Sequence, residues 1–414
     1  MAHPPHDGAP SPGDFRPHRN TAVRRGRARR LTRIAAPVLA LLVTGTSCSL
    51  IGELTEEPWE VRISVRALAE GPFTPRADHS LVWSGEEVLV WGGHAGSQHD
   101  SFSDGAAYSP ESDTWRRLPD SGLEPRTRHS AVMVGGRMLV WGGFTPTYEG
   151  EQDAHLARDG ALYDPERHVW EPIEPAPESR TGARGVVADG HVVFGGGYSE
   201  RGGAGFLVYS PEEDAWHTVP LRHDAEHATV YDLAALGDTV AAVGDSREGM
   251  FLATMRIGQE AASVQDVSDL PGAGEADVFV GLAASSEGRV LLALRGGESA
   301  GVYEVGPAGA EPLDTVDHSG FRPPVPTYTG GLLSGGMDFA DGLGLLATGP
   351  GEISLWDVGG GRSRRFHTEA LSGYCGPLVP VAEDALVGWG GPDCAPAGVR
   401  VDVSVPEPGE PSAS

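Results

Sequence analysis

Lysine is absent from this 414-residue chain, and cysteine occurs only three times. Long apolar runs are scarce as well. The run from Ile34 to Val43 spans 10 residues and contains Pro37, which is far short of the ~20 residues that a membrane-spanning helix needs. Glycine (59) and proline (33) are abundant, and both are poor in helix interiors. The composition therefore favours an all-β, turn-dense chain and disfavours a permanent transmembrane helix.

Positive charge is also in short supply, with 31 basic side chains against 58 acidic ones and a formal net charge of −27. The first 47 residues contain eight arginines and two aspartates, so the remainder carries −33. Nucleic acids and anionic lipid head groups both require a basic surface. The charge therefore argues against either partner, and its simplest consequence is solubility.

The N-terminal 47 residues have the layout of an export signal, because six arginines between Arg24 and Arg33 precede the apolar run. The segment Thr44 to Cys48 resembles a bacterial lipobox, which implies cleavage before Cys48 and acylation of its thiol; Gly45 departs from the leucine of that pattern. The alternative is ordinary cleavage nearby, with Cys48 left as a spare thiol. The resemblance is to exported lipoproteins of bacterial, actinobacterial-like type, and it implies a lipid-anchored protein on the outer face of the cytoplasmic membrane or in the cell envelope.

The other two cysteines, Cys375 and Cys394, are separated by 18 residues. In an oxidising compartment they would form a disulfide, worth about 3 kcal/mol in the chain-entropy model. A metal-binding pair and two free thiols remain alternatives, although neither has a second pair nearby to support it.

An internal repeat with a period of about 50 residues follows the signal. Its marks are an Arg-x-x-His-Ser segment, an apolar run ending in Gly-Gly, a Tyr-x-Pro turn and a tryptophan. The first copy has these marks at Arg76 to Ser80, Val88 to Gly93, Tyr108 to Pro110 and Trp115; the second at Arg126 to Ser130, Met138 to Gly143, Tyr163 to Pro165 and Trp170; the third keeps Val192 to Gly196, Tyr209 to Pro211 and Trp216, but has Ala183-Arg184 in place of His-Ser.

This unit resembles the kelch repeat, which forms one four-stranded blade of a β-propeller. Glycines that end apolar runs recur at Gly92, Gly142, Gly195, Gly244, Gly296, Gly349 and Gly390. We therefore predict an all-β kelch-type β-propeller of seven four-stranded blades, with six and eight as alternatives. The strand at Trp59 to Val65 is expected to complete the last blade beside Val399 to Val403, because closure removes exposed sheet edges. The predicted organisation is an extension and signal (1–47), a tether (48–58), the propeller (59–404) and a disordered tail (405–414).

One face of the propeller is predicted to carry the ligand, because two connections of each blade emerge there and loops on a rigid scaffold commonly bind. The candidate residues are Arg76, His79, His94, His99, Asp100, Arg126, His129, Asp153 and His155. A metal site from His94, His99, Asp100 and His155 has suitable ligand types but no fixed spacing. We therefore predict no metal and no cofactor. The Arg-x-x-His-Ser histidines are interpreted as structural, with rings that satisfy backbone groups.

Two functional hypotheses remain. The favoured one is a non-catalytic binding module for a protein, peptide or glycan. This module is expected to be a monomer, to bind no nucleic acid and to contact the membrane only through its lipid anchor. The alternative is a carbohydrate-active enzyme (an epimerase, a lyase or an oxidase-like enzyme) with acid and base residues among Asp100, Glu149, Asp153 and His155. Galactose-oxidase-type chemistry does not carry over, because no cysteine remains for its crosslink. Sialidase boxes are absent too.

Overall fold

The computed structural model describes residues 62–146, 154–200, 205–221, 228–273, 279–284, 288–296, 299–306, 309–312, 336–339, 342–349, 352–357, 362–367, 377–382, 384–390 and 398–404. The chain divides into two compact units, Met1–Glu57 and Pro58–Ser414, and the first lies outside the described residues. The predictions made for Cys48, Trp59, Glu149, Asp153, Cys375 and Cys394 also fall outside them. Within the described ranges, no helix is long and apolar enough to cross a membrane.

Four-stranded antiparallel sheets account for nearly all of the described chain, and seven of them are present. Sheet 1 contains β2 (Ser80–Trp83), β3 (Val88–Trp91), β4 (Gly105–Ser109) and β5 (Thr114–Arg117). Sheet 2 contains β6 (Ser130–Val134), β7 (Arg137–Trp141), β10 (Gly160–Asp164) and β11 (Val169–Pro172), with a small hairpin of β8 (Phe144–Thr145) and β9 (His155–Leu156) between its second and third strands. Sheet 3 contains β12 (Arg184–Ala188), β13 (His191–Gly195), β14 (Phe206–Ser210) and β15 (Ala215–Val219).

The remaining sheets repeat the same meander. Sheet 4 contains β16 (Thr229–Leu236), β17 (Thr239–Ser246), β18 (Gly249–Arg256) and β19 (Ser263–Asp266). Sheet 5 contains β20 (Phe279–Ala284), β21 (Val290–Gly296), β22 (Ser299–Gly306) and β23 (Gly309–Pro312). Sheet 6 contains β24 (Gly336–Phe339), β25 (Gly342–Gly349), β26 (Glu352–Asp357) and β27 (Arg362–His367). The closing sheet contains β28 (Leu378–Ala382), β29 (Ala385–Gly388), β30 (Val399–Ser404) and the N-terminal β1 (Arg62–Ala67).

The first strands of six of the sheets contact one another in the order β28, β2, β6, β12, β16 and β20. These strands therefore surround a central channel, and the last strand of each sheet lies at the rim. This arrangement is an all-β propeller, as predicted. The closing sheet mixes both ends of the chain, because β1 pairs with β30 in the register Ile63 to Val403 and Val65 to Val401. The prediction that an N-terminal strand completes the last sheet is confirmed, and the strand ends at Ala67, two residues beyond the predicted Val65.

The second strand of each repeat is buried on both faces, which explains its continuous apolar sequence. All four residues of β3 are buried, and Trp91 and Trp141 are fully enclosed between neighbouring sheets. Gly93, which follows β3, has a φ of 85°, and a Cβ there would lie 2.5 Å from the Ala77 carbonyl oxygen. Only glycine fits this turn, so the Gly-Gly mark of the repeat is a steric requirement.

The repeated tryptophans link each of the first three sheets to the one before it. In each of the first three sheets the indole nitrogen at the rim donates to a carbonyl in the connection that leaves the preceding sheet. These bonds run from Trp115 to Ala69 (3.0 Å), from Trp170 to Pro119 (3.1 Å) and from Trp216 to Glu174 (2.7 Å). Ala69 follows β1, so the closing sheet makes the same contact as the internal sheets.

An aspartate reinforces this link in sheets 1 and 3. Asp113 accepts hydrogen bonds from the Tyr108 hydroxyl (2.7 Å) and from the Ala69 amide (3.0 Å). In sheet 3, Asp214 accepts equivalent bonds from Tyr209 (2.8 Å) and Glu174 (2.9 Å). Both aspartates have left-handed backbone conformations, which this residue tolerates well.

Sheet 2 departs from this pattern at two positions together. The residue that accepts the tryptophan bond is Pro119, which has no amide hydrogen to donate, and the position of the aspartate is taken by His168. The ring nitrogen Nδ1 of His168 lies 3.2 Å from the Tyr163 hydroxyl. Among the three sheets that have this tryptophan, the carboxylate is therefore missing only in sheet 2, where the preceding connection has no amide hydrogen to donate to it.

Candidate functional site

The arginine of the repeat is buried and bound internally. Arg76, Arg126 and Arg180 are 1%, 0% and 2% exposed. Each guanidinium joins the segment before the first strand of its sheet to the connection after the second strand. Arg76 donates to Asp104 (2.7 Å) and to the Gly92 carbonyl (3.1 Å); Arg126 binds both oxygens of Asp159 (2.8 and 3.1 Å); Arg180 binds Glu178 and the Gly205 carbonyl (2.8 Å). These arginines hold the loops in place and do not reach a ligand.

The histidine of the repeat packs in the interface between neighbouring sheets. The His79 ring stands edge-on against Trp389 of the closing sheet (centroids 5.4 Å apart), and the His129 ring stands edge-on against Trp91 (4.9 Å). Each ring fills space left by a glycine of the neighbouring sheet, Gly390 and Gly92 respectively. The two histidines therefore close the interfaces on either side of sheet 1.

Burial, followed by the positive charge of Arg76, lowers the pKa of His79 to about 4; the carbonyls of Trp389 and Arg76 offset this only in part. Burial, followed by Arg126 and His79, lowers the pKa of His129 to about 3. No ring nitrogen of either histidine makes a hydrogen bond of standard geometry with the described residues. The interpretation that these histidines satisfy backbone groups is therefore wrong for His129, whereas the carbonyls of Trp389 and Arg76 do interact with the His79 ring. Both histidines have a structural role, because their neutral rings pack between the sheets.

Two repeat positions that the sequence analysis did not select lie at the mouth of the channel. Asp78 and Arg128 have left-handed φ angles of 52° and 54°, and Gly182 takes the same place before β12 with a φ of 70°. Their backbones form a chain of hydrogen bonds, from the Arg128 amide to the Asp78 carbonyl (3.0 Å) and from the Gly182 amide to the Arg128 carbonyl (2.7 Å). Left-handed backbone costs energy for an arginine, so glycine would be the simpler choice at Arg128.

The side chains at this mouth form a small polar cluster. The Nε of Arg128 donates to Oδ2 of Asp78 (2.9 Å), and the Nε2 of His94 lies 3.5 Å from the same oxygen. The Asp78 side chain is 11% exposed and that of Arg128 is 48% exposed. Asp78 is thus a buried anchor that orients an accessible guanidinium.

The other predicted residues lie on the loops around this mouth. His99 and Asp100 belong to a single 3-10 turn (Gln98–Asp100) and are exposed, and Asp100 accepts from the Ser97 hydroxyl (3.0 Å). His155, in β9, has its Nε2 3.4 Å from a carboxylate oxygen of Glu124. Of the predicted residues that the structure describes, only His94 joins the cluster of Asp78 and Arg128. Among the residues that the structure describes, no three His, Cys, Asp or Glu side chains come together as metal ligands would.

Comparison with known proteins agrees with this architecture. Residues 55–244 match the family model of the KLHDC2/KLHL20/DRC7 Kelch-repeats domain. The fold is a β-propeller with kelch repeats. A solved structure of the protein YjhT is similar to 81% of this chain and to 99% of its own length, with 15% sequence identity and a TM-score of 0.46. No curated protein matches the sequence of the chain.

Proposed function

We propose that this protein is a non-catalytic binding module whose looped face, around the channel mouth, binds a protein, peptide or glycan. Kelch propellers are typically protein-interaction modules, and their sheets form a rigid frame on which loops can present side chains. The buried arginines support the same role, because each one fixes a connection on this face and so reduces the entropy lost on binding.

The observation that carries the proposal is the state of Arg128. Its Nε is held by the buried Asp78 carboxylate, while Nη1 and Nη2 have no partner among the described residues. A guanidinium fixed at one edge presents a planar pair of donors at the other, a geometry suited to carboxylate, amide or hydroxyl oxygens. The strained backbone at Arg128 is consistent with retention for function.

We extend the proposal to the setting of the module. An exported protein acylated at Cys48 would hold the propeller on the outer face of the membrane through a tether of about ten residues. We also propose that the ring has seven blades, supported by the seven four-stranded sheets and the closure by β1. A Cys375 to Cys394 disulfide would then brace the closing sheet.

A peptide and glycan array probed with the purified protein tests the binding function. We expect selective binding that Arg128→Gln weakens at least about tenfold, which is the loss of about one charge-assisted hydrogen bond. Arg167→Gln is the matched control, because Arg167 is exposed (66%) and lies in the β10–β11 turn at the opposite end of the sheet. Equal binding by both variants would contradict the role of Arg128, and conversion of a bound glycan would favour the enzyme hypothesis.

A further inference from the structure

A second arginine, Arg184, begins the innermost strand of sheet 3, in a different environment. Side chains alternate along β12, and a Cβ at Gly185 would lie 3.0 Å from Val132 of sheet 2. Val186 and Ala188 instead pack in the cluster that contains Leu233 of sheet 4. Arg184 shares the parity of Val186. Its side chain therefore lies on the side of β12 that meets sheet 4.

Arg184 is half-buried and unpaired. Among the described residues its guanidinium makes no hydrogen bond and no ion pair, although the charge of the Asp232 carboxyl is near enough to interact with it. The structural arginines Arg76, Arg126 and Arg180 each have at least two acceptors. Withdrawing a guanidinium from water without a partner is unfavourable. Arg184 therefore differs from the arginines that hold the loops, and a bound group would relieve the cost.

The strand opposite Arg184 is irregular. The register of β16 with β17 shifts between Val230 and Asp232, so that Tyr231 is an extra residue on β16. A β-bulge of this kind re-aims side chains and is common beside binding sites. Tyr231 is 42% exposed, and its hydroxyl donates to Asp245. The bulge thus leaves an aromatic ring exposed to solvent, with its hydroxyl already fixed.

Asp232 completes the surroundings of Arg184. Its Oδ1 accepts from the Leu233 amide (3.0 Å) and its Oδ2 accepts from the Leu282 amide of β20 (2.9 Å). Burial raises the pKa of this carboxyl, while the positive charge of Arg184 and the two amides act in the opposite direction. Protonation of Asp232 can therefore leave its side chain in the same position, because both amides can still donate hydrogen bonds to a protonated carboxyl.

We propose that Arg184, with Tyr231 and Asp232, forms a binding site for an oxyanion, a carboxylate, phosphate or sulfate group, at the channel edge between sheets 3 and 4. The guanidinium supplies a planar pair of donors, and the ring of Tyr231 supplies an apolar wall for the group that carries the anion. Asp232 takes up a proton when the anion binds, so that two negative charges do not face each other. The site uses none of the residues proposed for the looped face.

Calorimetric titration of the full chain with sodium sulfate, phosphate or acetate, at constant ionic strength set by chloride, tests the site and separates the three oxyanions. We expect saturable binding of at least one of them. Arg184→Gln should weaken it at least about tenfold, and Arg184→Lys, which keeps the charge and loses the planar fork, by less. Arg256→Gln, a change on the exposed end of β18, is the control and should bind as the wild type.

The dependence on pH provides a second readout that mere destabilisation would not mimic. Sulfate keeps its charge well below neutral pH, so its affinity should rise as the pH falls and Asp232 becomes protonated. Asp232→Asn, which is neutral at every pH, should bind sulfate with little pH dependence. The proposal is overturned if none of the three anions binds saturably below roughly 100 mM, or if folded Arg184→Gln binds like the wild type. Loss of peptide or glycan binding in Arg128→Gln would not bear on either result.

Discussion

Mild acid should destabilise this propeller through the two histidines that flank sheet 1. His79 and His129 are enclosed as neutral rings, with pKa values of about 4 and about 3 against an unfolded value of 6.5. Because the folded pKa values are depressed, the unfolded chain binds protons first as the pH falls. The stabilisation is therefore fully present above pH 6.5 and is lost progressively as the pH falls from 6.5 toward 4 and 3.

The size of the effect follows from proton linkage. At pH 5 an unfolded histidine is almost fully protonated while the buried rings are not, which removes about 2 kcal/mol for each ring. The pair together removes about 4 kcal/mol, a large share of the ~5–15 kcal/mol that stabilises a typical domain. Both rings lie in the interfaces of sheet 1 with its neighbours, so the loss should be concentrated there.

Urea unfolding at pH 7 and pH 5 measures this loss directly. In His129→Ala the difference in unfolding free energy between the two pH values should fall to about 2 kcal/mol, because one ring remains. Alanine is the residue that sheet 3 already has at this place, Ala183. His217→Ala, which removes an exposed ring in β15, should leave the wild-type pH dependence unchanged. If wild type and His129→Ala lost the same stability between pH 7 and 5, the assignment of the effect to the buried rings would be refuted.

Three further predictions concern the links between sheets and the location of the protein. Pro119→Ala and His168→Asp together should restore the amide-to-carboxylate bond of the other sheets, and a double-mutant cycle should give a favourable coupling of about 1 kcal/mol; additive effects would contradict the link. Labelling of cells with a palmitate analogue should mark the wild type and not Cys48→Ala, and an unlabelled, released wild type would contradict anchoring. Mass mapping without reduction should find the Cys375 and Cys394 peptides joined, whereas two alkylatable thiols would contradict the disulfide.

The sequence predicted the features of this fold that depend on repeated local chemistry. The Gly-Gly turns and the tryptophans recur in register, so each copy supports the others. The closing strand followed from the need to cover the edges of the sheets. The candidate functional site was harder to predict from the sequence. Arg76 and Arg126 were assigned to the ligand face because they lie on its connections, yet their side chains turn inward to carboxylates that lie 28 and 33 residues further along the chain.

Residues that break the repeat are the ones that sequence reasoning missed. Arg128 stands where another repeat has glycine, and its left-handed backbone has no signature in the sequence. The bulge at Tyr231 depends on a one-residue mismatch between two strands, which apolar periodicity does not reveal. Both positions become visible only when the copies are placed on a common structure and the exceptions are compared.

Closure by β1 also sets an order of folding. Arg62 pairs with Ser404, so the first described strand and the last are partners separated by roughly 340 residues of chain. Contacts of such long sequence separation form late, because the intervening loop must first be ordered. If the protein is exported N-terminus first, β1 emerges before any partner exists and stays unpaired until the final residues have crossed. The inner sheets can assemble one by one behind it, and the ring is sealed in a single last step.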